Sequence, residues 1–379
     1  MPPDPLASRE AASACRAVCE ADDVRALVLG VSGLTGRAIA GELMTAGWEV
    51  TGTGRDPAHA PAHLQADGMR FVRSDRTDPA DLADCLRDGA DVVVDCVCYT
   101  AAHARRLLEH RASFGSAVML SSKAVYVDDR GRHSNSRQPP QFHGPVREDQ
   151  PVLAPDLSGD YESRDGYGAN KVAAEHTLLD SGIPVSILRP SRIHGAGGAR
   201  PREWFVVRRL LDGRTRLPLA HRGLTGNHPT AAVNLARLVL ACAQRPGQRV
   251  LNAADPGTPT ATEMVEAIAR ATGRPLEVVP LPNDAPPGHG WNPWSTWPPY
   301  FLDTTATHEV GYQPRGSYAE TVSDSVHELL NLDTGGRARL DHDEYFRDLF
   351  DYDLDDSALR HALRTGPVAA PEAAPEAAE

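Results

Sequence analysis

The chain has 379 residues, 41% of them hydrophobic and 24% charged, which is enough apolar material for one large domain or two modest ones. A net charge of −12 argues against nucleic acid or an anionic membrane as a general partner. No apolar run reaches the roughly 18 residues of a membrane span, and the stretch 1–23 lacks the basic and apolar regions of a signal peptide, so it reads as a flexible leader on a cytoplasmic protein.

A short apolar run, Val24 to Leu29, reads as a buried first strand. Gly30-Val31-Ser32-Gly33-Leu34-Thr35-Gly36 follows, and then Arg37 to Met44 with apolar residues at helical spacing. A strand, a glycine-rich turn and a helix form a cradle for a dinucleotide: glycines let the backbone approach a pyrophosphate, and free N–H groups at the helix start bind its charge. The spacing is GxxGxxG.

The second strand spans Trp48 to Gly54 and leads into Arg55-Asp56; a third covers Met69 to Val72 and leads into Asp75-Arg76. Asp78-Pro79 opens a helix running to Leu86, with Pro79 suited to its first position. The fourth strand, Ala90 to Val97, is almost continuously apolar, as a strand buried on both faces should be. A helix from about Ala101 to His110 and a fifth strand, Ala117 to Leu120, complete an alternation that predicts a doubly wound parallel sheet. Ligands in that architecture bind at the carboxyl ends of the strands. The fifth strand ends at Ser121-Ser122.

Residues 128–165 are rich in Pro, Gly, Asp, Arg and Ser and predict a partly ordered flap near that edge. Regular structure resumes with a helix over 166–181 and a strand over 185–188. Helices are expected over 202–211, 234–244, 262–271 (capped by Thr260 or Thr262) and 318–330, and strands over 249–252 and 276–280. Between 282 and 299 lie many prolines with Trp291, Trp294 and Trp297, either a packed surface loop or an aromatic wall of a substrate pocket. Pro-Glu-Ala-Ala repeats after Gly366 predict a disordered tail. The six cysteines (Cys15, Cys19, Cys85, Cys96, Cys98, Cys242) have no zinc spacing and read as structural thiols; no metal site is expected.

Tyr167-Gly168-Ala169-Asn170-Lys171 carries the sharpest chemistry. Positions i and i+4 share a helix face, and a nearby ammonium fits the phenol to act as general acid or base on an alcohol or carbonyl. The chain holds only two lysines, Lys123 and Lys171. Ser122, at the carboxyl edge of the sheet, can hydrogen-bond the same reacting oxygen; its plain alternative is a turn cap. Arg55 after the second strand suits a 2′-phosphate and favours NADP, with Asp56 as the residue that would restore NAD.

These pieces resemble the extended short-chain dehydrogenase/reductase superfamily of the NAD(P)-dependent epimerase/dehydratase type. The matching residues are Gly30, Gly33 and Gly36, Asp75, Ser121 to Tyr126, Tyr167 with Lys171, and Leu188-Arg189-Pro190 followed by His194-Gly195. The resemblance implies a Rossmann domain over 24–200 and a smaller C-terminal α/β substrate domain over 201–365, some of whose elements return to the sheet. It implies Ser122, Tyr167 and Lys171 as the catalytic group, and Gly30, Ser32, Gly33, Leu34, Thr35 and Gly36 as the phosphate cradle. It places Asp75 at the adenine with Arg76 beside it, Cys96, Val97 and Cys98 along the cofactor, and Pro190 and Ser191 at the nicotinamide. A homodimer is a further family expectation.

Two departures bear on function. Lys123-Ala124 stands where dehydratases of the family carry an acidic pair, which disfavours sugar dehydration. His228 and Asn234 replace charges that clamp a nucleotide sugar. The expected activity is interconversion of a secondary alcohol and a ketone on a small molecule. The alternatives are a sugar epimerase with tightly bound NAD and a non-catalytic dinucleotide-binding protein.

Overall fold

The computed structural model describes residues 24–365; the expected leader with Cys15 and Cys19, and the expected tail, lie outside the described residues. Among the described residues eleven strands run in chain order: β1 (Arg25–Leu29), β2 (Glu49–Gly54), β3 (Arg70–Arg73), β4 (Ala90–Asp95), β5 (Phe114–Leu120), β6 (Val185–Pro190), β7 (Arg192–His194), β8 (Arg216–Leu219), β9 (Pro229–Ala231), β10 (Arg249–Ala253) and β11 (Glu277–Pro280). Seven form one parallel sheet in the order β10-β6-β5-β4-β1-β2-β3. The order reverses between β1 and β4, and the crevice at that switch point is where such sheets bind ligands.

Burial on both faces explains the apolar runs. Ala26 and Val28 of β1, Val92 and Val94 of β4, and Val118 and Leu120 of β5 pack against the helices Leu34–Thr45 and Ala232–Gln244. The alternate residues Leu27, Leu29, Val93, Ala117 and Met119 pack on the other face, against the helices Pro79–Cys85, Ala101–Glu109 and Gly166–Leu179. A period of two is therefore present but hidden, because neither face is polar. Helix Ala232–Gln244 and β10 come from the second half of the chain and complete the sheet layer.

A second core gathers Trp204, Phe205, Leu210, Met264, Ile268, Trp294, Val322 and Phe346. Beside it, β8 pairs with β11 in parallel, and β7 with β9. In the proline-rich stretch Trp294 is a core residue, whereas Trp291 and Trp297 are 48% and 37% exposed. Trp297 stacks on His221 with ring centres 4.8 Å apart. No helix among the described residues is long and apolar enough to cross a membrane.

Several boundaries differ from expectation for physical reasons. The first helix begins at Leu34, directly on Gly33. Strand β4 stops at Asp95, whose carboxylate accepts the Val97 N–H and turns the chain, so Cys96 and Cys98 lie beyond the strand. Thr260 caps the helix Ala261–Thr272 reciprocally with Glu263, while the Thr262 hydroxyl donates to the Gly223 carbonyl. Residues 128–165 contain no helix or extended strand. They are nevertheless tied down: the Asn170 amide donates to Asp156 Oδ2 and the Asp160 carbonyl, and its Oδ1 accepts the Gly159 N–H.

Candidate active site

The glycine turn sits at the carboxyl end of β1. Gly30 adopts φ +90° and its N–H donates to the Thr53 carbonyl. A Cβ at Gly30 would stand 2.8 Å from Val97 Cγ1, and one at Gly36 only 2.3 Å from the Gly30 carbonyl oxygen. Gly30 is thus required by conformation and Gly36 by close helix packing. The helix Leu34–Thr45 starts without a side-chain cap, leaving the N–H groups of its first turn for an anion.

These residues open onto a cleft of about 770 Å³. Its walls include Gly30, Ser32, Gly33, Arg55, Asp75, Arg76 and Val97 from the expected cofactor set. Ser32 Oγ is buried without a hydrogen-bond partner. An orphaned hydroxyl, an uncapped helix start and a cradle that a Cβ would fill all fit a dinucleotide pyrophosphate. Asp56 is occupied locally, accepting the Ala58 N–H and pairing with His59, whereas Arg55 is exposed at the cleft. The Asp75 carboxylate accepts the Thr77 hydroxyl and N–H, which hold it below its ordinary range.

Arg76 lines the cleft and also makes structural contacts. Its guanidinium turns inward, with Nη1 on both Asp95 oxygens (2.6 and 2.5 Å) and Nη2 on the His103 carbonyl at 2.9 Å. It buttresses the floor of the cleft by fixing the end of β4. Leu34, Thr35, Gly36, Cys96, Cys98, Pro190 and Ser191 are not among the cleft walls. Burial pushes the Cys98 thiol up to about 12 and the Cys96 thiol higher still. Pro190 is buried at the end of β6; Ser191 keeps a buried Oγ without a partner.

Tyr167 and Lys171 lie on the helix Gly166–Leu179, one turn apart. Lys171 is 2% exposed, and its Nζ donates to the Cys98 carbonyl at 2.8 Å and the Leu120 carbonyl at 2.7 Å. It therefore spans the ends of β4 and β5 and fixes the helix over them. Ser122 follows β5, and its Oγ accepts the Ala124 N–H at 3.1 Å, so the cap reading is realised. The hydroxyl hydrogen donates to no described residue and is available to a ligand.

Three features escaped the sequence reading. Gly168 lets the helix press onto the serine turn: a Cβ there would meet the Ala124 carbonyl oxygen at 2.6 Å and Leu153 Cδ1 at 2.7 Å. Tyr99 joins the cleft to the Tyr167 helix, with the Lys171 ammonium 4.4 Å from its ring centre and the Tyr167 ring 6.5 Å away. Tyr161 of the 128–165 segment stacks on Tyr99, centres 4.8 Å apart and planes 8° apart, and so lines the cleft. The YxxxK spacing pointed to this helix, but no local signal marks Tyr99 or Tyr161.

Residues 26–253 match the sequence model described as "NAD dependent epimerase/dehydratase family". The chain belongs to this family.

Membership makes it an NAD(P)-dependent enzyme of the extended short-chain dehydrogenase/reductase superfamily. It is 28% identical over 325 residues, 79% of this chain and 93% of the relative, to a dTDP-6-deoxy-L-talose 4-dehydrogenase (NAD(P)(+)) of Kitasatospora kifunensis. Among solved structures it resembles the dTDP-glucose 4,6-dehydratase of Bacillus anthracis in complex with NAD (TM-score 0.61, 14% identity, 86% of this chain and 99% of that one). It also resembles the UDP-glucuronic acid 4-epimerase of Bacillus cereus with UDP-glucuronic acid and NAD (TM-score 0.60, 17% identity, 82% and 100%). At these identities the structures establish a shared fold. Within the family frame, Lys123 stands directly after Ser122 and is buried.

Proposed function

We propose that this enzyme interconverts a secondary alcohol and a ketone on a small molecule, with NADP as its preferred cofactor and Ser122, Tyr167 and Lys171 as its catalytic group. The observation that carries the reading is the Lys171 ammonium, locked between the Cys98 and Leu120 carbonyls one helical turn from Tyr167. The relative from Kitasatospora, named as a dehydrogenase, supports net oxidoreduction.

When bound, the nicotinamide supplies or accepts the hydride. In reduction, Tyr167 gives its phenolic proton to the substrate oxygen as the carbonyl carbon gains hydrogen; in oxidation the phenolate takes that proton back. The Ser122 hydroxyl donates to the same oxygen and orients it. Lys171, one helical turn from Tyr167, is the group whose ammonium stabilises the phenolate left after proton transfer. Tyr99 and Tyr161 wall the cleft with stacked aromatic faces.

The cleft supports the proposed NADP preference. With Asp56 engaged in its own turn, Arg55 is the group free to pair with a 2′-phosphate. The test is a panel of small ketones and alcohols, followed by the absorbance of the reduced nicotinamide, with parallel thermal shifts for NADP and NAD. Net redox turnover with a larger shift for NADP is expected. Tightly bound NAD with inversion of substrate and no net redox change would replace this reading with an epimerase.

A further inference from the structure

Among the described residues the interior cations differ in their partners, and buried Lys171 is held by the Cys98 and Leu120 carbonyls. Arg76, Arg189 and Arg209 each face a carboxylate, from Asp95, Glu175 and Asp355 respectively. Lys123, which is buried, and Arg192 and Arg202, which are half-buried, pair with no carboxylate among the described residues. Burying unpaired charge is costly, and side chains in this state are normally completed by a counter-ion or ligand.

Hydrogen bonds through Asn227, His228 and Ile193 tie the segments that carry these three residues together. Lys123 is 5% exposed; its ammonium donates to Asn227 Oδ1 and lies 4.1 Å from the centre of the Tyr300 ring. The next residue, His228, accepts the Arg192 N–H at 3.2 Å and so docks β7 beside Asn227. Arg202 reaches back to β7, its Nη1 donating to the Ile193 carbonyl at 3.3 Å. The Nε atoms of both Arg192 and Arg202 are buried with no hydrogen-bond partner. The Arg192 guanidinium makes no side-chain hydrogen bond to any described residue.

The groups feel one another as like charges. Burial, then the charges of Arg192 and Arg202, pull the Lys123 ammonium well below its ordinary value. Burial and the neighbouring Arg202 pull Arg192 down to about 10. An arriving anion relieves both penalties at once.

We infer that Lys123, Arg192 and Arg202 form an oxyanion subsite next to Ser122, and that the substrate is an alcohol or ketone carrying a carboxylate or phosphate held there. The inference rests on the proposed role of Ser122 at the reacting end. Lys123, the residue after Ser122, sets the anion close to the reacting carbon, and the guanidinium forks suit either oxyanion.

The test uses the full chain loaded with whichever of NADP and NAD binds, titrated calorimetrically at constant ionic strength. Malonate probes the carboxylate arm; inorganic phosphate and pyrophosphate probe the phosphate arm. One arm is expected to bind, and Lys123→Met and Arg192→Gln are each expected to weaken it about tenfold or more, the loss of one charged hydrogen bond. Arg192→Lys keeps the charge and is expected to retain most of the affinity, which separates anion binding from misfolding. Cofactor affinity in every variant should stay within about twofold of the parent, since one charged-bond loss is confined to the subsite. No binding in either arm, or equal affinity in parent and variants, would overturn the inference. Absence of cofactor binding in the loading step would count against the proposed function instead, so the two failures are distinguishable.

Discussion

Gly168→Ala probes the contact that sets the proposed catalytic geometry. The glycine lies inside the helix Gly166–Leu179, where alanine by itself would stabilise by roughly 0.5–1 kcal/mol. Its new Cβ would stand 2.6 Å from the Ala124 carbonyl oxygen and 2.7 Å from Leu153 Cδ1. The leucine methyl can swing away; the carbonyl belongs to the Ser122 turn and cannot. Restoring an ordinary carbon–oxygen contact requires the helix to withdraw by several tenths of an ångström, and overpacking of this kind costs about 1–3 kcal/mol. On central values the clash outweighs the propensity gain, for a net loss of about 1 kcal/mol within a span of about 0–2.5 kcal/mol. The larger effect is on chemistry, since Tyr167 moves away from Ser122 and a displacement approaching 1 Å costs up to ~10²-fold. Denaturant unfolding, cofactor titration and steady-state turnover give the three readouts. The expected result is kcat reduced about tenfold or more with cofactor affinity little changed. An unchanged kcat, or a gain in stability, would refute the argument that this contact positions the catalytic group.

Other consequences can be measured in the same way. Arg55→Ala should weaken NADP binding by about 10- to 100-fold, the value of a charged hydrogen bond, and leave NAD binding nearly unchanged; equal losses for both would remove the basis for NADP preference. Asp95→Asn leaves the Arg76 guanidinium buried without its counter-charge, and chemical denaturation should show a loss of about 3–5 kcal/mol. His103 is held neutral: its Nδ1 accepts the Tyr99 N–H, and burial and the Arg76 charge lower it from 6.5 to about 4. The unfolded chain thus binds more protons between those values, so the His103 contribution is complete above pH 6.5 and is lost as pH falls toward 4. It amounts to roughly 3 kcal/mol. The difference in pH dependence between the parent and His103→Asn isolates it; parallel curves would contradict the assignment.

The sheet was legible because its strands are buried on both faces, which makes β1, β4 and β5 continuous apolar runs between glycine and polar punctuation. The boundaries failed where a single side chain redirects the backbone. Asp95 reads as a polar end to a valine run, yet by capping Val97 and holding Arg76 it stops β4 before Cys96. Arg76 was marked by its place after Asp75 and does line the cleft; the inward turn of its guanidinium depends on a carboxylate from another strand, which local pattern cannot show. Tyr167 and Lys171 were legible because helical spacing alone puts them on one face. Tyr99 and Tyr161 were not, since they meet only when an irregular segment folds back over the sheet edge. The Pro/Trp stretch divides for a similar reason: Trp294 finds a core formed by distant helices, while Trp291 does not.

Tyr167→Phe gives the most direct measurement, because it removes one oxygen and leaves the helix and Lys171 in place. With a substrate from the panel, cofactor affinity is expected to equal the parent's and hydride transfer to slow by about 10²-fold or more, the usual contribution of a positioned acid or base. Hydride transfer at the parental rate in this variant would contradict the assignment of Tyr167 as the proton carrier.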